Sequence, residues 1–158
     1  MVRIWKIASL GAVAALAGGL FATPAAAAGA AGCPTLEITA VAFGQQSGMR
    51  ELPTADGGAV WVSGVPLASA RDVSRANVSN TGAAASLGLV FRANTATQIH
   101  TYMASHAGGL MTFVVGGRAI KVAKIGAPIT GDTIVIAPVE PVSAARLAAG
   151  LNRCYGAK

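Results

Sequence analysis

The residues best suited to catalysis are few and scattered in this chain of 158 residues. His100 and His106 stand six positions apart, about 240° around a helix, so they do not share a face for a metal ion. No two of the six acidic residues are spaced so that their carboxylates meet locally. These acidic residues are Glu37, Glu51, Asp56, Asp72, Asp132 and Glu140. The sequence therefore favours a non-enzymatic protein without catalytic, cofactor-binding or metal-binding residues. A small hydrolase or ligand-binding domain around His100, His106 and Asp132 is the alternative.

The glycine-rich segment VVGGRAIKVAKIGAPITGD suggests a different chemistry, the binding of an anion such as phosphate. A phosphate loop presents a helix N-terminus to the anion, and neither G-x-x-x-x-G-K-[ST] nor G-x-G-x-x-G at a strand-to-helix junction occurs here. Gly116 and Gly117 instead separate two strand-like runs, and two glycines supply the positive φ angles of a type I′ hairpin turn. The APITGD stretch indicates a second turn. We therefore predict structural turns at Gly116, Gly117, Pro128 and Gly131.

The N-terminal segment has the pattern of a secretory signal peptide. Arg3 and Lys6 precede an uncharged apolar run, and the small residues of TPAAAA then offer a cleavage site. A transmembrane anchor is the competing interpretation, but the run is shorter than the roughly 20 residues that span a bilayer. We predict a signal peptide over residues 1–28, a periplasmic or secreted mature chain, and no transmembrane anchor after processing. Removing Arg3 and Lys6 lowers the formal net charge from +6 to +4.

Cys33 and Cys154 are the only cysteines, and they lie near opposite ends of the mature chain. In an oxidising compartment an even pair of cysteines usually forms a disulfide, which we predict between Cys33 and Cys154. The alternative is lipidation of Cys33, because AAGC resembles a weak lipobox. However, Ala30 stands where a lipobox usually has leucine, and about ten residues separate Cys33 from the apolar run. A lipid anchor at Cys33 is therefore the minor alternative.

The basic residues of the mature chain are scattered and do not interleave with aromatic residues. A nucleic-acid-binding surface would combine a dense basic stripe with stacking platforms, and neither is visible. The sequence therefore predicts no nucleic-acid partner. No partner or cofactor is identified by the residues themselves.

The order of the predicted elements indicates the fold class. Residues 35–43 alternate as in a strand, 44–58 are polar and predict a loop, and AVWVSG predicts a short strand. The second half predicts a strand, a helix capped at Asn94 or Thr95, three strands, and a last helix that begins at Pro141. This order predicts an α+β domain with a mostly antiparallel sheet and two main helices packed on one face. We expect a flexible stub over residues 29–34 and a single domain over residues 35–158.

Four stretches of the second half give a resemblance to a known family. SLGLVFRANTATQIHTYMASHAGG, MTFVVGGRAIKV, APITGDTIVI and AARLAAGL resemble, in this order, the head subdomain of the first periplasmic domain of SecD, a subunit of bacterial preprotein translocase. The resemblance extends over about residues 60–152. It differs at Gly116, where relatives usually have aspartate, and at Lys124, where they tend to have proline. It implies a SecD head-like fold, no catalytic residue, and contact with an unidentified polypeptide or envelope protein in connection with protein export. A purely structural envelope protein is a further alternative.

Overall fold

Nine β-strands, a short 3-10 helix and two α-helices form the part of the chain that the computed structural model describes, residues 32–81, 83–126 and 131–156. These residues all belong to one unit, Gly32–Lys158. The predicted signal peptide, residues 1–28, lies outside the described residues, as does Pro128 of the predicted second turn.

The first sheet contains six strands in the order β2-β3-β1-β7-β8, and the short β4 pairs with the remaining part of β1. All these strand pairs are antiparallel. The strands are β1 (Leu36–Ala42), β2 (Met49–Pro53), β3 (Ala59–Ser63), β4 (Ala68–Ser69), β7 (Leu110–Val115) and β8 (Arg118–Lys124). The sheet curls so that its two edges join at a single point, where Thr54, directly after β2, forms a parallel bridge with Ala119 of β8. The Ala55 N–H also donates to the Ala119 carbonyl at 3.0 Å.

A small apolar cluster lies on one side of this curled sheet. Leu52, Val62 and Val114 are buried there, with Val41 and Val60 packed against them. Two buried threonines, Thr39 and Thr112, each donate a hydroxyl hydrogen bond to a backbone carbonyl of a neighbouring strand segment. Their polar atoms are therefore satisfied, which removes most of the free-energy cost of burying them.

The second sheet contains three antiparallel strands in the order β5-β6-β9. They are β5 (Val73–Thr81), β6 (Ala84–Phe91) and β9 (Thr133–Val139). Alternate residues of β6, ending with Leu87, Leu89 and Phe91, are buried, and the residues between them are half-buried. This alternation places one face of the sheet on the main core. The other face of the core comes from the first sheet and from both helices.

Helix α1 (Ala93–Ser105) begins before the predicted capping residues Asn94 and Thr95. The predicted cap is wrong, because Thr95 lies buried within the first turn and its hydroxyl donates to the Asp72 carboxylate at 3.3 Å. Asp72 also accepts hydrogen bonds from the N–H and hydroxyl of Ser69. A tertiary contact therefore uses the side chain that the local pattern assigned to capping.

Helix α2 (Pro141–Tyr155) begins where the sequence predicts. Its buried residues Ala144, Ala148 and Leu151 face the core, while the Asn152 side chain reaches strand β5. The Asn152 amide oxygen accepts from the Ala76 N–H at 2.7 Å, and its nitrogen donates to the Ala76 carbonyl at 2.8 Å. This pair of hydrogen bonds fixes α2 against the outer edge of β5.

Gly150, also in α2, is in close contact with the N-terminal segment. A Cβ atom at this position would lie 3.0 Å from Cγ and 3.1 Å from Cδ of Pro34. The absence of a side chain therefore allows the proline ring to rest on the helix.

The predicted α+β class with antiparallel strands is confirmed, and so is the order of elements in the second half. Two features differ from the expectation. The strands divide between two sheets, and the polar segment predicted as a loop contains β2. Strand β2 pairs with β3 from Met49 opposite Ser63 to Pro53 opposite Ala59. This pairing stabilises β2 as a strand although its sequence has little apolar periodicity.

Candidate functional site

An apolar groove of about 380 Å³ opens between the β7–β8 hairpin and the junction of β9 with α2. Eight of the ten residues that line it are apolar, and only Glu140 and Ser143 are polar. The apolar ones are Ala55, Leu87, Val115, Ile120, Pro138, Val139, Ala144 and Leu147. A concave apolar surface with two polar groups at its rim can bind apolar side chains and orient them by a few hydrogen bonds.

The hairpin wall of the groove depends on the Gly116–Gly117 turn. Both glycines have positive φ angles, 59° and 78°, as a type I′ turn requires. Val115 and Ile120, on the two strands that this turn joins, line the groove. The Gly116 N–H donates to the Thr35 hydroxyl at 3.1 Å, which ties the turn to the residue before β1. The glycines therefore position apolar side chains rather than contact an anion.

The opposite wall is the first part of α2. The Glu140 carboxylate caps this helix by accepting from the Val142 N–H at 2.9 Å and from the Ser143 N–H at 2.6 Å. Hydrogen bonds from Ser143 and then from Val142 hold the pKa of Glu140 below its ordinary value, with a smaller contribution from the charge of Arg146. An ionised carboxylate that is already engaged by two N–H groups is poorly suited to act as a general base.

The residues of the hydrolase alternative do not form one site. His100 and Asp132 both line one small depression, together with apolar residues such as Phe91. This depression is too small to admit a water molecule. His106 lies at the end of α1, where its ring stacks on Tyr102 with centroids 4.0 Å apart. Nδ1 of His106 also lies 2.9 Å from the Tyr102 carbonyl, so this ring completes the helix terminus.

The structure places the Cys33 and Cys154 sulfurs at bonding distance, with Cα atoms 5.7 Å apart. This pairing joins the start of the described chain to the last turn of α2. Among the predicted turn residues, Gly131 has a φ of 98°, in the region that favours glycine.

No group of three or more His, Cys, Asp and Glu side chains gathers as a metal site within residues 32–81, 83–126 and 131–156. In the same ranges, no helix has the length and apolar character needed to cross a bilayer.

Sequence reasoning did not locate the groove, although it found several of the elements that build it. The last helix was predicted to begin at Pro141, and the hairpin turn was predicted at Gly116 and Gly117. The missing information is long-range: Ala55 follows an unpredicted strand, and Leu87 comes from the other sheet. Asn152 gave no sequence signal, because a polar residue late in a helix is ordinarily solvent-exposed.

This α+β fold of two antiparallel sheets and two helices is similar to the fold of solved structures. One of these is a structure of SecDF, a membrane component that enhances protein export; it matches with a TM-score of 0.60 and 17% identity, over 79% of this chain and 64% of that chain. Another is SecDF in its super-membrane-facing form, with a TM-score of 0.59 and 17% identity, over 78% of this chain and 19% of that chain.

The fold is therefore SecD-like, as the sequence resemblance predicted. The chain spans less than two thirds of the length of each of these two SecDF chains. No family model matches the sequence, and no curated protein matches it either.

Proposed function

We propose that this protein is an exported, non-enzymatic binding module that holds a segment of polypeptide, or of an envelope protein, in the groove between the β7–β8 hairpin and α2. The observation that carries this proposal is the apolar lining of the groove. Its one acidic residue, Glu140, is already engaged in capping α2. Such a surface favours apolar side chains of an extended chain over a small charged substrate.

A role in protein export, in the periplasm or outside the cell, is supported by two further observations. The fold resembles that of SecDF, a component that enhances protein export. The Cys33 and Cys154 sulfurs lie at bonding distance, and disulfides persist in oxidising compartments outside the cytoplasm. The polypeptide held in the groove would then be a chain in transit or a neighbouring envelope protein.

The test is binding of a labelled, uncharged peptide that alternates valine with glutamine, measured by fluorescence anisotropy on the processed chain with its disulfide intact. Leu147→Asp places a charge in the groove, and we expect it to weaken binding by about tenfold or more. Val142→Asp is the matched control, because Val142 is 55% exposed on the same helix and does not line the groove.

Equal binding by the wild type and Leu147→Asp would contradict the proposal. If Leu147→Asp does not fold, Ile120→Ser on the other wall serves instead, because Ile120 is only half-buried. A peptide that binds neither the wild type nor Val142→Asp would also overturn it.

A further inference from the structure

Strand β8 has one edge that is open over most of its length. Its inner edge pairs with β7 from Lys124 to Arg118. On the outer edge, the bridge of Thr54 and the hydrogen bond from Ala55 both reach only Ala119. Within the described part of the chain, no strand pairs with residues 120–124 on that side.

The outer edge ends its pairing because the β2–β3 connection turns away at Asp56 and Gly57. Asp56 accepts from the Thr54 hydroxyl and from the Gly58 N–H, and Gly57 has a φ of 90°. The β2–β3 connection therefore contacts β8 at a single bridged residue and then leads into β3. An extended chain laid along residues 120–124 would continue the sheet from the point at which the Thr54–Ala55 segment leaves it.

The backbone of Val122 and Lys124 points toward this open edge. The Ile125 N–H donates to Gly109 O at 2.8 Å, and the Ile125 carbonyl accepts from the Gly108 N–H at 2.9 Å, so Ile125 directs its backbone polar groups toward the β7 side. In an antiparallel pair these directions alternate along the strand. Ala123 therefore bonds toward β7, and Val122 and Lys124 offer their N–H and C=O groups to the outside.

A channel of about 310 Å³ runs beside this edge, between residues 54–56 and residues 119–122. Ala55 and Ile120 line both this channel and the apolar groove. The two depressions are therefore neighbours, and a strand added to β8 would lie beside the groove. Val122, 39% exposed on the channel side, would contact the added strand directly.

The charges along β8 indicate which kind of strand fits. Arg118, Lys121 and Lys124 are its only ionisable residues, and all are basic. Asp56 is the one acidic residue that lines the channel, and hydrogen bonds from Thr54 and from the Gly58 N–H hold its pKa below the ordinary value, but the three basic residues of β8 outnumber it. A second copy of β8 would bring like charges together, whereas acidic side chains would be attracted.

We propose that the open edge of β8 binds an extended peptide segment that carries acidic side chains, by adding it as a strand beside the apolar groove. Backbone hydrogen bonds from Val122 and Lys124 supply the attachment, and the basic side chains select the partner. This inference rests on the proposed function, since it assigns the chemical character of the polypeptide that the groove holds.

The experiment uses three labelled peptides with valine at alternate positions and glutamate, glutamine or lysine between them. Binding to the processed, disulfide-bonded chain is followed by fluorescence anisotropy at low and high salt. We expect the glutamate peptide to bind about tenfold more tightly than the lysine peptide at low salt, and the difference to shrink as salt screens the charges. Equal affinity for the three peptides at low salt would overturn the charge selection.

Two variants test the edge itself. Val122→Pro removes an N–H that points outward, at a position where an edge strand tolerates proline, and we expect binding of all three peptides to fall by about tenfold. Val122→Thr keeps both the N–H and the β-branched shape and serves as the control. Unchanged binding by a folded Val122→Pro would overturn the added strand.

Charge reversal gives an independent result if Val122→Pro does not fold. Lys121→Glu with Lys124→Glu should reverse the order of the peptides, so that the lysine peptide binds best. An unchanged preference would contradict the inference. If Leu147→Asp abolishes binding while both edge variants bind normally, the groove proposal stands and the edge proposal falls. If the edge variants lose binding while Leu147→Asp binds normally, the edge proposal stands and the groove proposal falls.

Discussion

Two of the outer strands, β5 and β8, differ in how their unpaired edges are protected. At β5, the Asn152 side chain accepts from the N–H of Ala76 and donates to its carbonyl, as a neighbouring strand would. At β8, the backbone of residues 120–124 has no such cover within the described ranges, and basic side chains flank it. At Ala76 the β5 edge is closed by hydrogen bonds from a helix, whereas residues 120–124 of β8 are protected by charge alone.

The difference teaches where this fold can accept a partner. An edge that is closed by a side-chain amide excludes another strand sterically and satisfies its own polar groups. An edge that is protected by charge repels only strands of the same sign. The contact of Asn152 with Ala76 therefore stabilises the fold at the β5 edge, whereas the open edge of β8 is the one to which we assign the added strand.

The largest expected effect concerns the predicted disulfide, which anchors the end of α2. Replacing both cysteines, Cys33→Ser with Cys154→Ser, should lower the free energy of unfolding by about 4 to 5 kcal/mol, because a loop of roughly 120 residues gains freedom in the unfolded chain. Urea denaturation measures this loss, and the reduced wild type should match the variant. Hydrogen exchange should rise more at Ala76 of β5 than at Ala123 of β8, whose N–H points toward β7. An equal rise at both edges would remove the distinction between them.

The next effect concerns the amide that closes β5. Asn152→Ala should destabilise the protein by about 2 kcal/mol, since the buried Ala76 then has an N–H and a carbonyl without their partner. The neighbouring exposed substitution Arg153→Ala is the control, and we expect it to change stability little. Thermal and urea unfolding compare the two. A loss that is no greater for Asn152→Ala would show that its hydrogen bonds do not close the edge.

Removing charge should affect the two edges unequally. Lys121→Val with Lys124→Val should make the protein self-associate, because the open residues 120–124 of β8 then carry no repulsive charge of their own. Arg75→Val is the matched change on β5 next to Ala76, and it should leave the protein in its original state of association. Stability should change by about 0.5 kcal/mol or less in both cases. Sedimentation velocity at several protein concentrations measures the association. If only Arg75→Val associates, the β5 edge is the one that depends on charge, and the comparison is wrong.

The smallest effect is the pH dependence that arises from the Glu140 cap of α2. The pKa of Glu140 is lower in the folded protein than in the unfolded chain. The stability that the ionised cap contributes is therefore present above the ordinary glutamate pKa, and it disappears as the pH falls through the folded pKa. Glu140→Gln should therefore be less stable than the wild type near neutral pH and equal to it in acid. Urea midpoints measured across this range test the prediction, and a constant difference at all pH values would contradict it.

Local patterns were sufficient for much of the fold. The Gly116–Gly117 pair marked the hairpin because positive φ is costly for other residues, and Pro141 marked the start of α2. Such signals act over a few neighbouring residues. Strand β2 has Arg50, Glu51 and Pro53 in place of an apolar alternation, and it is a strand because β3 pairs with it. Thr95 likewise has the pattern of a cap, yet a hydrogen bond to Asp72 uses its hydroxyl.

The candidate site was less predictable than the fold. The groove joins Ala55, Ile120 and Leu147, which are distant in sequence and meet only when the two sheets and α2 pack together. The open edge of β8 depends on where the Asp56–Gly57 turn ends the neighbouring pairing, and this is a property of the assembled sheet. Periodicity identifies which residues are apolar, but it does not specify which of them remain at the surface as a groove.

Gly150 has a consequence for anyone who wishes to engineer this protein. Replacing a glycine inside a helix with alanine is a standard way to raise thermal stability, and it gains roughly 1 kcal/mol at an open position. At Gly150 the added methyl group would meet the Pro34 ring at 3.0 Å. The Pro34 ring, next to Cys33, would have to shift by a few tenths of an ångström to accept this methyl group. A stabilised version of this protein should therefore keep Gly150 and take its improvements elsewhere.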